Sequence, residues 1–185
     1  SGEKKKLNVD INNDPKFKDK ITYLVIEKEP DHIINESSLI ENQSIKRKNS
    51  ITRINQSYDF MQKGIKNAEP NDLILLSDND EIPNLESKQF KNSNKDLFIF
   101  KQLFFYYKFN LQYDLMPWFG SKACKKKKLH SFSWLRNIKN KRYPIWRLDT
   151  LFSKNKNINI EIINNGGWHF TNIKTPSELM IKMKN

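Results

Sequence analysis

A chain of 185 residues with 37% hydrophobic and 12% aromatic side chains is long enough to bury a core and too aromatic to remain a disordered polymer. Its 33 Lys and Arg against 21 Asp and Glu leave a net charge of +12, which favours anionic partners, although the joint abundance of Lys, Asn and Ile gives a solvated basic surface without any partner. The single cysteine, Cys124, excludes an intrachain disulfide and reads as a packing residue, and no apolar run reaches bilayer-spanning length.

Residues 1–20 are polar and lysine-rich, with no signal-peptide core, and "ITYLVIE" from Ile21 to Glu27 then reads as a buried strand. Lys28 to Lys48 contains Pro30 and no sustained period, so it reads as a loop. From Asn49 to Lys66 the apolar residues Ile51, Ile54, Tyr58, Met61 and Ile65 recur on one helical face, with Asn49 or Ser50 as its cap and Gly64, Asn67 and Pro70 as stop signals. Leu73 to Leu76 is a continuous apolar run, as a strand covered on both faces would be, so strand, helix and strand predict a βαβ unit. N-x-S triplets at Asn35, Asn42 and Asn55 are what an Asn- and Ser-rich chain makes by chance.

After Pro83, "NLESKQF" predicts a short helix and "DLFIFKQLFFYYKFNL" one or two aromatic strands. Residues 121–142, with "KKKK" at Lys125 to Lys128, read as a basic loop region, and strands are expected at Trp146 to Phe152 and Ile158 to Ile163. Thr175-Pro176-Ser177-Glu178 is a capping box with Pro at the first helical position, so a helix begins there and meets the chain end. There is no internal repeat, and one domain over residues 1–185 is expected.

Two constellations carry chemistry. In "DLILLSDNDEIP" the carboxylates of Asp78, Asp80 and Glu81 follow an apolar strand, where α/β sheets bind ligands. Carboxylates so close together repel, and a divalent cation such as Mn²⁺ or Mg²⁺ relieves that cost while leaving positions for phosphate oxygens. A solvated or helix-capping turn is the commoner use of Asp-x-Asp. In "NNGGWHF", Gly166 and Gly167 allow positive φ and close backbone approach, which suits a loop against a ligand, and His169 is either a satisfied, half-buried histidine or a ligand to the same metal.

These segments, with "SGEKKKLNVD", "FKDKITYLVIE", "FYYKFNLQY" leading into "WFGSKA", and "SELMIKMKN", resemble glycosyltransferase family 17, the β-1,4-mannosyl-glycoprotein 4-β-N-acetylglucosaminyltransferases. The resemblance implies an α/β, GT-A-like domain with a mostly parallel central sheet flanked by helices. It also implies transfer of a sugar, GlcNAc from UDP-GlcNAc, to a glycan acceptor with inversion. Asp78 and Asp80 would hold metal and diphosphate, His169 would complete the metal site, and Arg136 would pair with diphosphate oxygens. Glu81 is the nearest base in sequence, with Glu161 and Asp149 as alternatives, while Trp118, Trp134 and Tyr107 are candidate sugar platforms and Arg147 reads as a structural or stacking residue.

Two departures from the family stand out. Its strand and Thr-His pair before the Ser-Gly are absent, and Ser57-Tyr58 stands where it carries Gln-Arg, so a domain incomplete at both ends is expected. The competing readings are a basic nucleic-acid-binding domain, in which the lysines track phosphates, and a catalytically inactive glycan-binding descendant. A Golgi-lumenal or a cytoplasmic location fits the sequence equally.

Overall fold

The structure, a computed structural model, describes residues 15–34 and 43–184. The Ser-Gly opening, the lysines before Leu7, the triplets at Asn35 and Asn42 and part of the expected 28–48 loop lie outside the described residues. The chain divides into two compact units, residues 1–67 and Ala68–Lys184.

In the first unit, helix α1 spans Gln43–Phe60 and continues as a 3₁₀ turn over Met61–Ile65. It starts earlier than its apolar pattern predicts, so Asn49 is no cap. Asn49 is buried within the helix, where its side chain accepts from Ile34 N and donates to Ile34 O, each at 3.0 Å. Arg53 pairs with Glu29 at 3.0 Å and Gln56 donates to Lys28 O, so polar contacts strap the 28–34 segment to the helix. Of the expected apolar face only Tyr58 is buried, and Ile51 and Ile54 are exposed. Ile21 to Glu27 is not a strand: no strand occurs among the described residues of this unit to pair with it, and Ile21, Tyr23, Val25 and Ile26 are exposed.

The second unit is a six-stranded sheet with β1 at Leu73–Leu76, β2 at Glu81–Pro83, β3 at Leu97–Tyr106, β4 at Trp118–Lys125, β5 at Ile160–Ile163 and β6 at Gly167–Thr171. The strand order is β1-β4-β3-β6-β2, with β5 beside β3 in line with β6. Pairings β1/β4, β3/β4 and β2/β6 are antiparallel, and only β3/β5 and β3/β6 are parallel. The expected mostly parallel sheet flanked by helices is therefore wrong. Without a strand at 21–27 there is no βαβ unit, and the sheet is mixed, strongly curled and accompanied by few helices.

The connectivity requires the curl. β1 and β2 occupy opposite ends of the strand order, about 19 Å apart if the sheet were flat. Yet only residues 77–80 join them, and those turn back so that Glu81 N donates to Asp78 O at 3.1 Å. A half-barrel brings the two edges together.

The core lies around the first half of β3. Phe98, Phe100, Ala123 and Ile163 pack with Leu75 and with Phe90 of the short helix α2, Lys88–Lys91. On the other face Ile74, Leu97 and Cys124 share one cross-strand row and Leu76, Ile99 and Lys122 the next, near α3, Phe132–Asn137, which buries Phe132 and Leu135. Burial pushes the Cys124 thiol up to about 12, as befits a packing residue.

Further corrections follow. The expected basic loop at 121–142 contains the end of β4, a 3₁₀ turn at Lys126–Lys128 and α3, because the polar residues of "GSKACK" find partners inside the fold. Trp146 to Phe152 is not a strand: Asp149–Phe152 forms the short helix α4, and Trp146, Leu148 and Phe152 are exposed. The capping box is present at α5, Pro176–Lys184, where Thr175 N donates to Glu178 Oε2 at 2.8 Å. That bond and the Thr175 hydroxyl hold the Glu178 carboxyl below its ordinary range.

Candidate functional site

The curl makes one buried row out of three distant segments. Glu81 of β2 stands opposite His169 of β6, and His169 stands beside Phe104 of β3, so all three share a face. Trp118 of β4 closes over them, its indole stacked on the His169 ring at 4.1 Å and 5°.

Glu81 is 8% exposed and is held by three donors, which leaves one of its acceptor sites over. Its Oε1 accepts from Trp118 Nε1 at 3.0 Å, and its Oε2 accepts from Ser121 Oγ at 3.1 Å and Asp78 N at 3.3 Å. Ser121 also accepts from Gln102 Nε2 and shares a 2.7 Å hydrogen bond with Ser77 Oγ. Hydrogen bonds of this kind fix a carboxylate's position. Gly120 leaves the necessary space, because a Cβ there would lie 2.0 Å from Gln102 Oε1 and 2.6 Å from Glu81 Oε1.

Beside this network lies a cavity of ≈ 240 Å³, walled by Asp78, Glu81, Trp118, Lys122, Arg136 and Asn140. Arg136 Nη1 donates to Asp78 Oδ2 at 3.0 Å. Lys122 is buried, and its ammonium donates to the carbonyls of Arg136 at 2.6 Å and Ile138 at 2.7 Å. Burial holds Lys122 down to about 8, with Arg136 pushing the same way, Glu81 opposing and Lys139 adding to the depression. The volume is below that of a typical whole-ligand pocket and suits one polar end of a larger molecule.

Asp80 sits at the mouth of the turn, with its carbonyl accepting from Phe170 N and its Oδ2 3.5 Å from His169 Nε2. The expected metal ligands are thus split: Asp80 and His169 face one another, whereas Asp78 is turned to Arg136. Among the described residues no group of three or more His, Cys, Asp and Glu side chains is arranged to hold a metal ion. A carboxylate oxygen and an imidazole nitrogen 3.5 Å apart are nevertheless two donors of types that divalent cations take. His169 Nδ1 is buried without a hydrogen-bond partner, so stacking on Trp118 and Phe104 orients the ring.

Gly166 and Gly167 line no part of the cavity. They make strand contacts instead: Gly166 N donates to Lys101 O at 2.7 Å, and Gly167, at φ +119°, abuts the β2 backbone. The alternative bases are occupied elsewhere, Glu161 with Gln89 and Arg142, and Asp149 with Lys156 and Arg147, both of which hold its carboxyl below the ordinary range. Trp134 donates to Lys154 O and packs on His130, Tyr107 borders a second cleft, and Arg147 pairs with Asp149.

Sequence reasoning missed Gln102, Ser121 and Lys122. Their signal was small and polar residues inside otherwise apolar strand runs. Compared with known proteins, the chain matches no protein-family model, no curated protein and no solved structure. Among the described residues no helix is long and apolar enough to cross a membrane.

Proposed function

We propose that the chain is an inverting sugar transferase that moves a hexose unit, GlcNAc on the resemblance, from a UDP-sugar to a glycan acceptor. The observation that carries this reading is the convergence at one end of the curled sheet of Asp80, Glu81 and His169, from the two motifs that resemble the family, with Trp118 and Arg136.

In this reading Asp80 and His169 would hold a divalent ion, which would supply positive charge to stabilise the departing diphosphate. Arg136 and Lys122 bring their donors to the diphosphate end of the cavity, Arg136 exchanging Asp78 for phosphate oxygens and Lys122 presenting the ammonium proton that its two carbonyl partners leave over. Glu81 accepts the proton of the acceptor hydroxyl as that oxygen bonds to the anomeric carbon and the bond from that carbon to the diphosphate oxygen breaks, releasing UDP. Trp118 and Ser121 position the carboxylate for that role.

The test is calorimetric titration of UDP-GlcNAc with and without Mn²⁺, coupled to an assay for UDP release. Asp80→Ala is expected to weaken metal-dependent binding roughly tenfold or more, by comparison with the losses known for groups that merely support a metal ligand. Glu81→Gln is expected to bind donor and release almost no UDP. Donor binding indifferent to both Mn²⁺ and Asp80 would overturn the metal assignment, and absence of any donor binding the transferase reading.

The charge of +12 favours the nucleic-acid alternative, in which binding needs no divalent ion and falls steeply with salt. Part of the "KKKK" run is already engaged: Lys125 bridges Asp96 at 3.1 Å, holding that carboxyl below its ordinary range, and Lys127 donates to Asn71.

A further inference from the structure

Trp118 has a second side. Beyond it opens a cleft of ≈ 630 Å³ walled by Phe104, Tyr106, Tyr107, Tyr113, Met116 and Trp118, with no ionisable acid or base other than the tyrosines. Phe104 is its buried floor. Tyr106 and Tyr113 stand edge-on to that ring at 5.7 and 5.8 Å, and Trp118 leans on it at 5.3 Å and 36°.

Tyr113, Met116 and Tyr107 form an exposed rim. Tyr107 is held at φ 66°, a costly conformation for a bulky residue, by the hydrogen bond its backbone N–H donates to Thr171 O and by edge packing on Tyr106 at 4.2 Å. Strain of this kind persists where the surrounding structure imposes it, and here it sets an aromatic ring at the mouth of the cleft.

We propose that this cleft is the acceptor subsite and binds a neutral oligosaccharide of more than one ring, with the apolar faces of the sugars against the aromatic floor and rim. The proposal rests on the sugar-transfer reading for the identity of the reaction, but the binding it describes stands on its own. Three features choose a saccharide. The lining carries no formal charge at neutral pH, which disfavours a phosphorylated ligand. Phenol hydroxyls interleave with ring faces, which suits a molecule with apolar faces and hydroxyl edges. The rings splay around Phe104 rather than forming a parallel slot for one base, and the amide of Gln112, which also borders the cleft, is turned to Asp114 rather than offered to a base edge. Trp118 also borders the polar cavity and donates to Glu81, so the cleft and that cavity share a wall.

The experiment is an NMR titration of the full chain with a panel of neutral mannose- and GlcNAc-containing di- and trisaccharides, without UDP-sugar or metal. Saturable binding that perturbs the Trp118 indole and the cleft tyrosines is expected. Tyr113→Ala and Met116→Lys, both at exposed positions, should each weaken it about tenfold while the spectra remain dispersed. No saturable binding across the panel, binding untouched by both variants, or displacement of the sugar by uridine at the same residues would each overturn the proposal. Saccharide binding in a protein that never releases UDP would keep the cleft and remove the transfer reading. UDP release with no saccharide binding would do the reverse.

Discussion

The two halves of β3 share a strand and differ in almost everything else. Leu97 to Phe100 is covered on both faces and pairs with apolar β5, so it is core. Leu103 to Tyr106 pairs with β6, and the inward Gln102 and Phe104 meet Ser121, His169 and Trp118, so this half lines the candidate site. The switch occurs where the parallel partner breaks at 164–166 and the β3/β4 register shifts between Ile99 and Lys101. A continuous strand with a discontinuous neighbour thus changes from packing to chemistry within a few residues.

The largest effect should come from closing that break. Gly167 lies at φ +119°, and a Cβ on it would come 2.0 Å from Ile82 O and 2.9 Å from Pro83 Cα. These are backbone atoms of β2, which cannot move without separating Glu81 from His169. Gly167→Ala is expected to cost on the order of 3–5 kcal/mol in denaturant melts, since it combines a strained conformation with a clash. A loss under about 1 kcal/mol would mean that β2 is not pinned by β6.

This glycine pair also shows how far the sequence was legible. Gly166-Gly167 announced close backbone approach, and close approach is what the structure has, to the backbones of β3 and β2. The periodic signals for α1, β1, β5 and α5 located real elements, because each depends on local pattern and capping. Strand direction did not follow from the apolar run at Leu73–Leu76. Burial on two faces marks parallel strands, but α3 and α2 can cover an antiparallel sheet equally well. Within the site, the acidic turn and His169 were visible as motifs. Gln102, Ser121 and Lys122 were not, since their roles depend on cross-strand neighbours that only the curl creates.

An intermediate effect is expected at Lys122, which has a core position but faces the site. Its folded value of about 8 lies below its ordinary value of 10.5, so the unfolded chain binds more protons between those limits. Stability therefore rises with pH across roughly pH 8 to 10.5, by on the order of 2–3 kcal/mol for this group alone. Below pH 8 the ammonium is charged in both states, and the whole cost of burying it is present. Lys122→Met removes the titration, so denaturant melts at pH 7.5 and pH 10 should differ less in the variant than in the parent. Equal pH slopes in the two proteins would show that the ammonium is solvated and not held by Arg136 O and Ile138 O.

The smallest effect should lie in the exposed 146–152 segment, whose apolar pattern reads as a strand. Phe152 is 90% exposed, and Trp146 and Leu148 are nearly as open. An exposed aromatic side chain on a short helix contributes little by burial, so Phe152→Ser should change stability by no more than about 0.5 kcal/mol. The comparison with β3 makes this outcome informative. Trp146 to Phe152 interleaves its apolar residues with Arg147, Asp149 and Thr150, whereas Leu97 to Phe100 is apolar at every position and has strands on both sides. A loss above about 1 kcal/mol in thermal or denaturant melts would mean that Phe152 is covered in solution, and that the strand expected from its pattern forms there after all.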